Sequence, residues 1–134
     1  MGRTLKAEKW KWVLIRMGSD VLELGSKLSP GFCIDIGNFL DEARRERKIP
    51  EKYPDEFTVR NKVEQSYLIA TIHSLALEFG LPTPSYIFDR KYVLPEPYFS
   101  FQAKGKHRIY LMATSPATFM RLNMFVAENA LSRA

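Results

Sequence analysis

Two histidines, a single cysteine and two adjacent carboxylate pairs are the side chains of this sequence best equipped for chemistry. His73 lies in an apolar run, flanked by Ile72 and followed by Leu75 and Ala76. A ligand or acid–base role needs an acidic or thiol neighbour one helical turn away, and Ile69, Ala70, Ala76 and Leu77 occupy those places. His73 therefore reads as a structural histidine. His107, between Lys106 and Arg108, reads as a solvated turn residue. Asp41-Glu42 and Asp55-Glu56 are neighbours in sequence, so on a helix they point apart rather than converge. Cys33 has no disulfide partner and no surrounding nucleophile motif. Phosphate-cradling glycine loops and nucleophile elbows are missing. The residues predict no catalytic group, no metal site and no cofactor.

The elements that position these residues follow from hydrophobic spacing. Trp10, Leu14, Met17, Val21, Leu24 and Leu28 recur at steps of four and three, predicting a helix over residues 4–28. Ser29-Pro30-Gly31 reads as a turn, and a second helix is expected from about Ile34 to Lys48 with Ile36, Phe39, Leu40 and Ala43 inward. A third runs from about Val59, capped by Asp55 or Thr58, to Phe79, with Gly80 as its stop. Its apolar residues spread around most of the circumference, which predicts a central helix burying Leu68, Ile72, Leu75 and Phe79.

Beyond Gly80 the period changes. Prolines separate short aromatic runs at Tyr86, Tyr92 and Tyr98-Phe99, the composition of an extended strap over helices. Tyr98 to Phe101 and Arg108 to Met112 are candidates for one small hairpin across Gln102 to His107. Ser115 as N-cap with Pro116 behind it predicts a terminal helix carrying Leu122, Phe125, Val126 and Leu131 nearly to the end. The expected fold is mainly α: a single-domain helical bundle over residues 1–134, with a Pro-rich aromatic strap and room for one hairpin.

Composition narrows the function classes. With 46% apolar and 26% charged residues, the chain is not of the disordered kind. Apolar clusters such as Trp12 to Ile15 are too short to span a bilayer, and the reading is a cytoplasmic protein with no membrane role. Charge is unevenly placed, two basic ends flanking an acidic middle. Lys6, Lys9, Lys104, Lys106 and Arg108 are candidate phosphate contacts on that account. The cluster Arg44, Arg45, Arg47 and Lys48 reads as a solvated helix end.

The C-terminal part, from Gly80 to Ala134, carries a distinctive set of sequences. These are Leu81-Pro82-Thr83-Pro84-Ser85-Tyr86, Leu94-Pro95-Glu96-Pro97-Tyr98-Phe99, Ser115-Pro116, Asn123-Met124-Phe125-Val126 and the ending Asn129-Ala130-Leu131-Ser132-Arg133-Ala134. In these it resembles a group of short uncharacterised bacterial proteins of toxin–antitoxin-like operons, some fused behind a helix-turn-helix regulator. The resemblance implies an antitoxin-like, partner-binding role. Aromatic and arginine side chains are the preferred anchors of protein interfaces. The candidate partner contacts are accordingly Tyr86, Tyr92, Tyr98 and Phe99 as anchors, with Arg121, Asn123 and Arg133 as polar contacts. The alternative is a nucleic-acid-binding accessory protein using the basic ends.

Overall fold

Ser29 and Asn61 start the two long helices, and one carboxylate joins those starts. The computed structural model describes residues 27–100 and 105–132. All of the expected N-terminal helix but its last two residues, with Lys6 and Lys9, lies outside them, as do Lys104 and Arg133. Helix α1 spans Pro30–Glu46, with the Ser29 hydroxyl accepting the Phe32 amide at 3.1 Å. The stretch expected to be a turn is thus a helix start. Ser29 is the N-cap and Pro30 takes the first helical position, where its missing N–H costs nothing. Helix α2 spans Lys62–Phe79 and is capped by Asn61, whose side chain accepts the Glu64 amide at 2.9 Å. Neither Asp55 nor Thr58 is its cap. Gly80 closes α2 with φ of 69°, as its position in the sequence predicts.

The two helices run side by side in the same direction. Glu64, wholly buried in the first turn of α2, accepts the Ser29 amide at 2.7 Å through Oε2 and the Arg60 amide at 2.9 Å through Oε1. At the other end Arg44 grips Glu78 through two hydrogen bonds of 3.0 and 2.9 Å, and its remaining nitrogen reaches the Leu131 carbonyl at 2.8 Å. Parallel neighbours need a connection as long as the helix itself, about 25 Å for seventeen residues. Residues 47–61 make that return, packing Ile49, Tyr53, Phe57 and Val59 against the core.

Helix α2 is central, as its all-round apolar pattern requires. Leu68, Ile69, Ile72 and Leu75 are fully buried. Phe79 is only partly so, because it lies in the last turn with the Arg47 guanidinium 4.9 Å above its ring. The strap crosses α2 through two 3-10 turns, Ser85–Phe88 and Arg90–Tyr92, and reaches strand β1, Tyr98–Phe99. The expected hairpin does not form. Residues Lys106–Thr114 are helix α3, rich in good helix formers, and β1 pairs in parallel with β2, Met124–Phe125.

The C-terminal helix is also shorter than its sequence suggests. Helix α4 covers only Ala117–Met120. Asn123 takes a left-handed φ of 67° and turns the chain into β2. Ser115 is buried and accepts the Val126 amide at 2.9 Å, so its hydroxyl ties down the tail instead of capping a helix. Phe119, Leu122, Met124 and Val126 close the core beneath. The fold is mainly α, with a two-stranded parallel ladder as its sole sheet among the described residues.

Candidate interaction surface

Apart from Phe88, the aromatic residues of the strap face inward. Tyr92 is 3% exposed and stacks on Tyr53 with ring centres 6.0 Å apart. Tyr86 meets the same Tyr53 ring edge-on and donates its hydroxyl to the Pro50 carbonyl at 2.9 Å. Burial, with Tyr92 and Tyr53 nearby, pushes the Tyr86 phenol up to about 12. Tyr98, 6% exposed, lies in the core, and burial raises its phenol too. Phe99 stacks on Phe125 at 4.9 Å beneath the Arg108 guanidinium. As placed, Tyr92 and Tyr98 fasten the strap to the helices and have almost no surface left for a partner.

Two of the proposed polar contacts are likewise held within the fold. Asn123 donates its side-chain amide to the Leu94 carbonyl at 3.1 Å, while its own carbonyl accepts the Tyr98 amide at 3.0 Å. Arg121 is half-buried at the end of α4, and burial lowers its pKa. Its Nε donates to His73 Nδ1 at 3.0 Å and its Nη2 to the Ile87 carbonyl at 2.9 Å.

That pair defines the chemistry of the site. An imidazole nitrogen that accepts from a guanidinium must be unprotonated, so His73 is neutral and carries its hydrogen on Nε2. Desolvation first, and Arg121 second, hold its pKa below the usual histidine value. Such a ring presents its Nε2–H as a hydrogen-bond donor, and the contact with Arg121 fixes its orientation.

What it positions is Phe88. The Phe88 ring meets the His73 ring edge-on, with centres 5.5 Å apart, and lies 5.0 Å beneath the Arg121 guanidinium. Yet 55% of Phe88 remains exposed. Leu77 follows His73 by one turn on the same face of α2 and is 62% exposed. Residues of two other segments, α2 and the end of α4, thus hold one phenylalanine at the surface, and the leucine one turn from His73 is exposed as well. Sequence reasoning missed both residues. The signal for Leu77 was present: α2 carries more apolar positions than a helix packed on the rest of a small domain can cover. Nothing in the sequence distinguished Phe88 from its buried neighbour Ile87.

Lys106 and Arg108 share the first turn of α3, both exposed, and Lys106 is thereby open to a phosphate. Of the basic cluster at the end of α1, Arg44 pairs with Glu78 and Arg47 lies over Phe79, while Arg45, Arg47 and Lys48 are exposed, as a solvated helix end requires. Among the described residues no group of three or more His, Cys, Asp or Glu side chains is placed to hold a metal ion. No helix among them is long and apolar enough to cross a membrane. No protein-family model, curated protein or solved structure matches the chain.

Proposed function

We propose that the chain is a non-catalytic protein-binding module, an antitoxin-like or regulatory component of a bacterial operon working in the cytoplasm. The observation that carries this reading is Phe88, an exposed aromatic ring packed against His73 and Arg121, with Leu77, one helical turn from His73, exposed as well. A rigid aromatic anchor gives up little freedom on binding, and residues of this kind dominate interface energetics. The partner is a protein with an apolar recess that receives Phe88 and Leu77. His73 Nε2–H supplies one directional hydrogen bond at its edge.

The test is co-purification from a bacterial host with the tagged chain and its Phe88→Ala variant. The variant loses the cation–π contact, the His73 contact and the covered part of the ring, about 1–2 kcal/mol together. A domain's margin of about 5–15 kcal/mol absorbs that loss, and unchanged circular dichroism checks that the variant stays folded. Loss of an anchor worth about 2 kcal/mol weakens capture roughly thirtyfold. The co-purified protein should survive a high-salt wash with the parent chain and be absent with the variant. Capture that Phe88→Ala leaves intact would sink the reading. Capture of nucleic acid that high salt abolishes would favour phosphate contacts through Lys106 and Arg108.

A further inference from the structure

Arg121 ties three elements together at the Phe88 surface. Its Nε donates to His73 Nδ1 of α2 at 3.0 Å, and its Nη2 to the Ile87 carbonyl of the strap at 2.9 Å. The same guanidinium lies 5.0 Å over the Phe88 ring. The backbone around this group is anchored by other means. Ile87 and Phe119 are wholly buried, and Thr118 of α4 hydrogen-bonds Ser74 of α2 at 2.6 Å. Phe88, more than half exposed, is the member with room to move. A change at Arg121 therefore falls on the Phe88 side chain before it reaches the helices.

His73 is the residue of this group that titrates near neutral pH, and it is half-buried, so a proton can reach it. One turn away on its own helix stand Ile69, Ala70, Ala76 and Leu77, none of them charged. Glu78, further along α2, is held by Arg44. From the strap come Phe88 and then Asp89, Arg90 and Lys91. Asp89 is turned to the Lys91 amide at 2.9 Å and to its ammonium at 4.0 Å. From α4 comes Arg121. Desolvation first, and the Arg121 charge second, oppose protonation of the ring. Nδ1 can accept from Arg121 or carry a proton, and it cannot do both. Protonation thus turns the ring from a partner of the guanidinium into a like charge beside it.

We propose that His73 is a proton-operated switch of the Phe88 surface. With the ring neutral, Arg121 is closed on Nδ1 and Phe88 packs against both. With the ring charged, Arg121 leaves Nδ1, and Phe88 loses the guanidinium that covers it and becomes a free side chain. The switch rests on Phe88 being the partner's anchor, and it regulates that contact. The partner binds above the His73 pKa and is released below it, because a freed ring must be ordered again on binding. The relation is reciprocal, so a bound partner also lowers the His73 pKa.

An NMR titration of the full chain from about pH 8 to about pH 5 tests the switch without the partner. The Arg121 Nε–H and Phe88 ring signals, assigned with Arg121→Lys and Phe88→Leu, should move with the His73 midpoint. The methyl signals of buried Ile72 and Leu75 should hold still. In His73→Asn, whose oxygen serves Arg121 and does not titrate, Arg121 and Phe88 should show no such midpoint. Phe88 signals that ignore His73 overturn the proposal, as does loss of the core methyl signals over the same range. Partner capture from a bacterial host at the two ends of the range reads the regulation. Capture by the parent should fall severalfold at the acid end, by up to about tenfold for each unit by which binding lowers the His73 pKa. Capture by His73→Asn should not change with pH. Equal parent capture at both ends, still abolished by Phe88→Ala, overturns the switch and leaves the anchor standing. Capture that survives Phe88→Ala overturns the anchor, and the regulation with it.

Discussion

The Glu64 carboxylate accepts the backbone amide of Ser29 at 2.7 Å across thirty-five residues of sequence, so the first turns of two parallel helices share one acceptor. Its second oxygen serves the Arg60 amide, and no part of the residue reaches solvent. A carboxylate can face two donors because it carries only acceptors. Glutamine of the same shape must turn its NH₂ towards one of them. Glu64→Gln is therefore expected to destabilise the fold by about 1–3 kcal/mol, read as a lower urea midpoint with unchanged slope. A midpoint equal to the parent's would show that the joint contributes nothing.

Ile72 tests the centre of the fold directly. It is wholly buried at the middle of α2, within the cluster that joins α1, the strap and the tail. Ile72→Ala leaves a cavity there and should cost about 2–5 kcal/mol. Ser74, two residues on, is half-buried and hydrogen-bonds Thr118 at 2.6 Å, so Ser74→Ala should cost distinctly less. Equal losses at the two sites would contradict the central position of Ile72.

Helical stretches were legible in the sequence where one residue's chemistry decides the local geometry. Gly80 ends α2 because its left-handed backbone favours glycine, and the all-round apolar pattern of Tyr67 to Phe79 marks a buried helix. Asn61 and Glu64 stand at capping-box spacing, a signal that was present but unused. What the sequence hid was non-local. Tyr98-Phe99 and Met124-Phe125 are twenty-six positions apart, and no period reveals a two-residue parallel pairing. Arg108 to Met112 reads equally well as strand or helix until the β1 partner is known to lie elsewhere. The surface was harder still. Aromatic type alone nominated Tyr92 and Tyr98, which are buried, and passed over Phe88, which is not.

The His73–Arg121 pair sets a pH dependence whose sign follows from its geometry. The folded chain favours neutral His73, so its pKa in the fold lies below the ordinary value of 6.5. The unfolded chain then binds the proton more readily. The stability contributed by the pair is complete above that value and is lost as pH falls through the lower folded pKa. Protonation would also set a second cation against the Arg121 guanidinium and remove its acceptor. His73→Asn keeps an oxygen for Arg121 but does not titrate. Thermal melts below neutral pH should fall more steeply for the parent than for His73→Asn. Parallel pH profiles would remove the pair from the account.

The tail supplies the sharpest separation between a structural and a docking element. Phe119, Leu122 and Met124 are fully buried and Val126 is 1% exposed. The same segment provides the partner strand for β1, the Ser115–Val126 tie and the Leu131 carbonyl that holds Arg44. Each large apolar side chain fully buried is worth about 1.5–3 kcal/mol, while a domain has only about 5–15 kcal/mol in total. Deleting residues 119–134 removes four such side chains together with the ladder, a loss comparable to the whole of that margin. The shortened chain should be insoluble, or soluble without the near-ultraviolet circular dichroism of packed aromatic rings. The exposed Phe88 site lies outside the deletion but depends on Arg121, so partner capture should vanish with the fold. A shortened chain that melts like the parent while losing only its partner would reverse the assignment and make the tail a docking element.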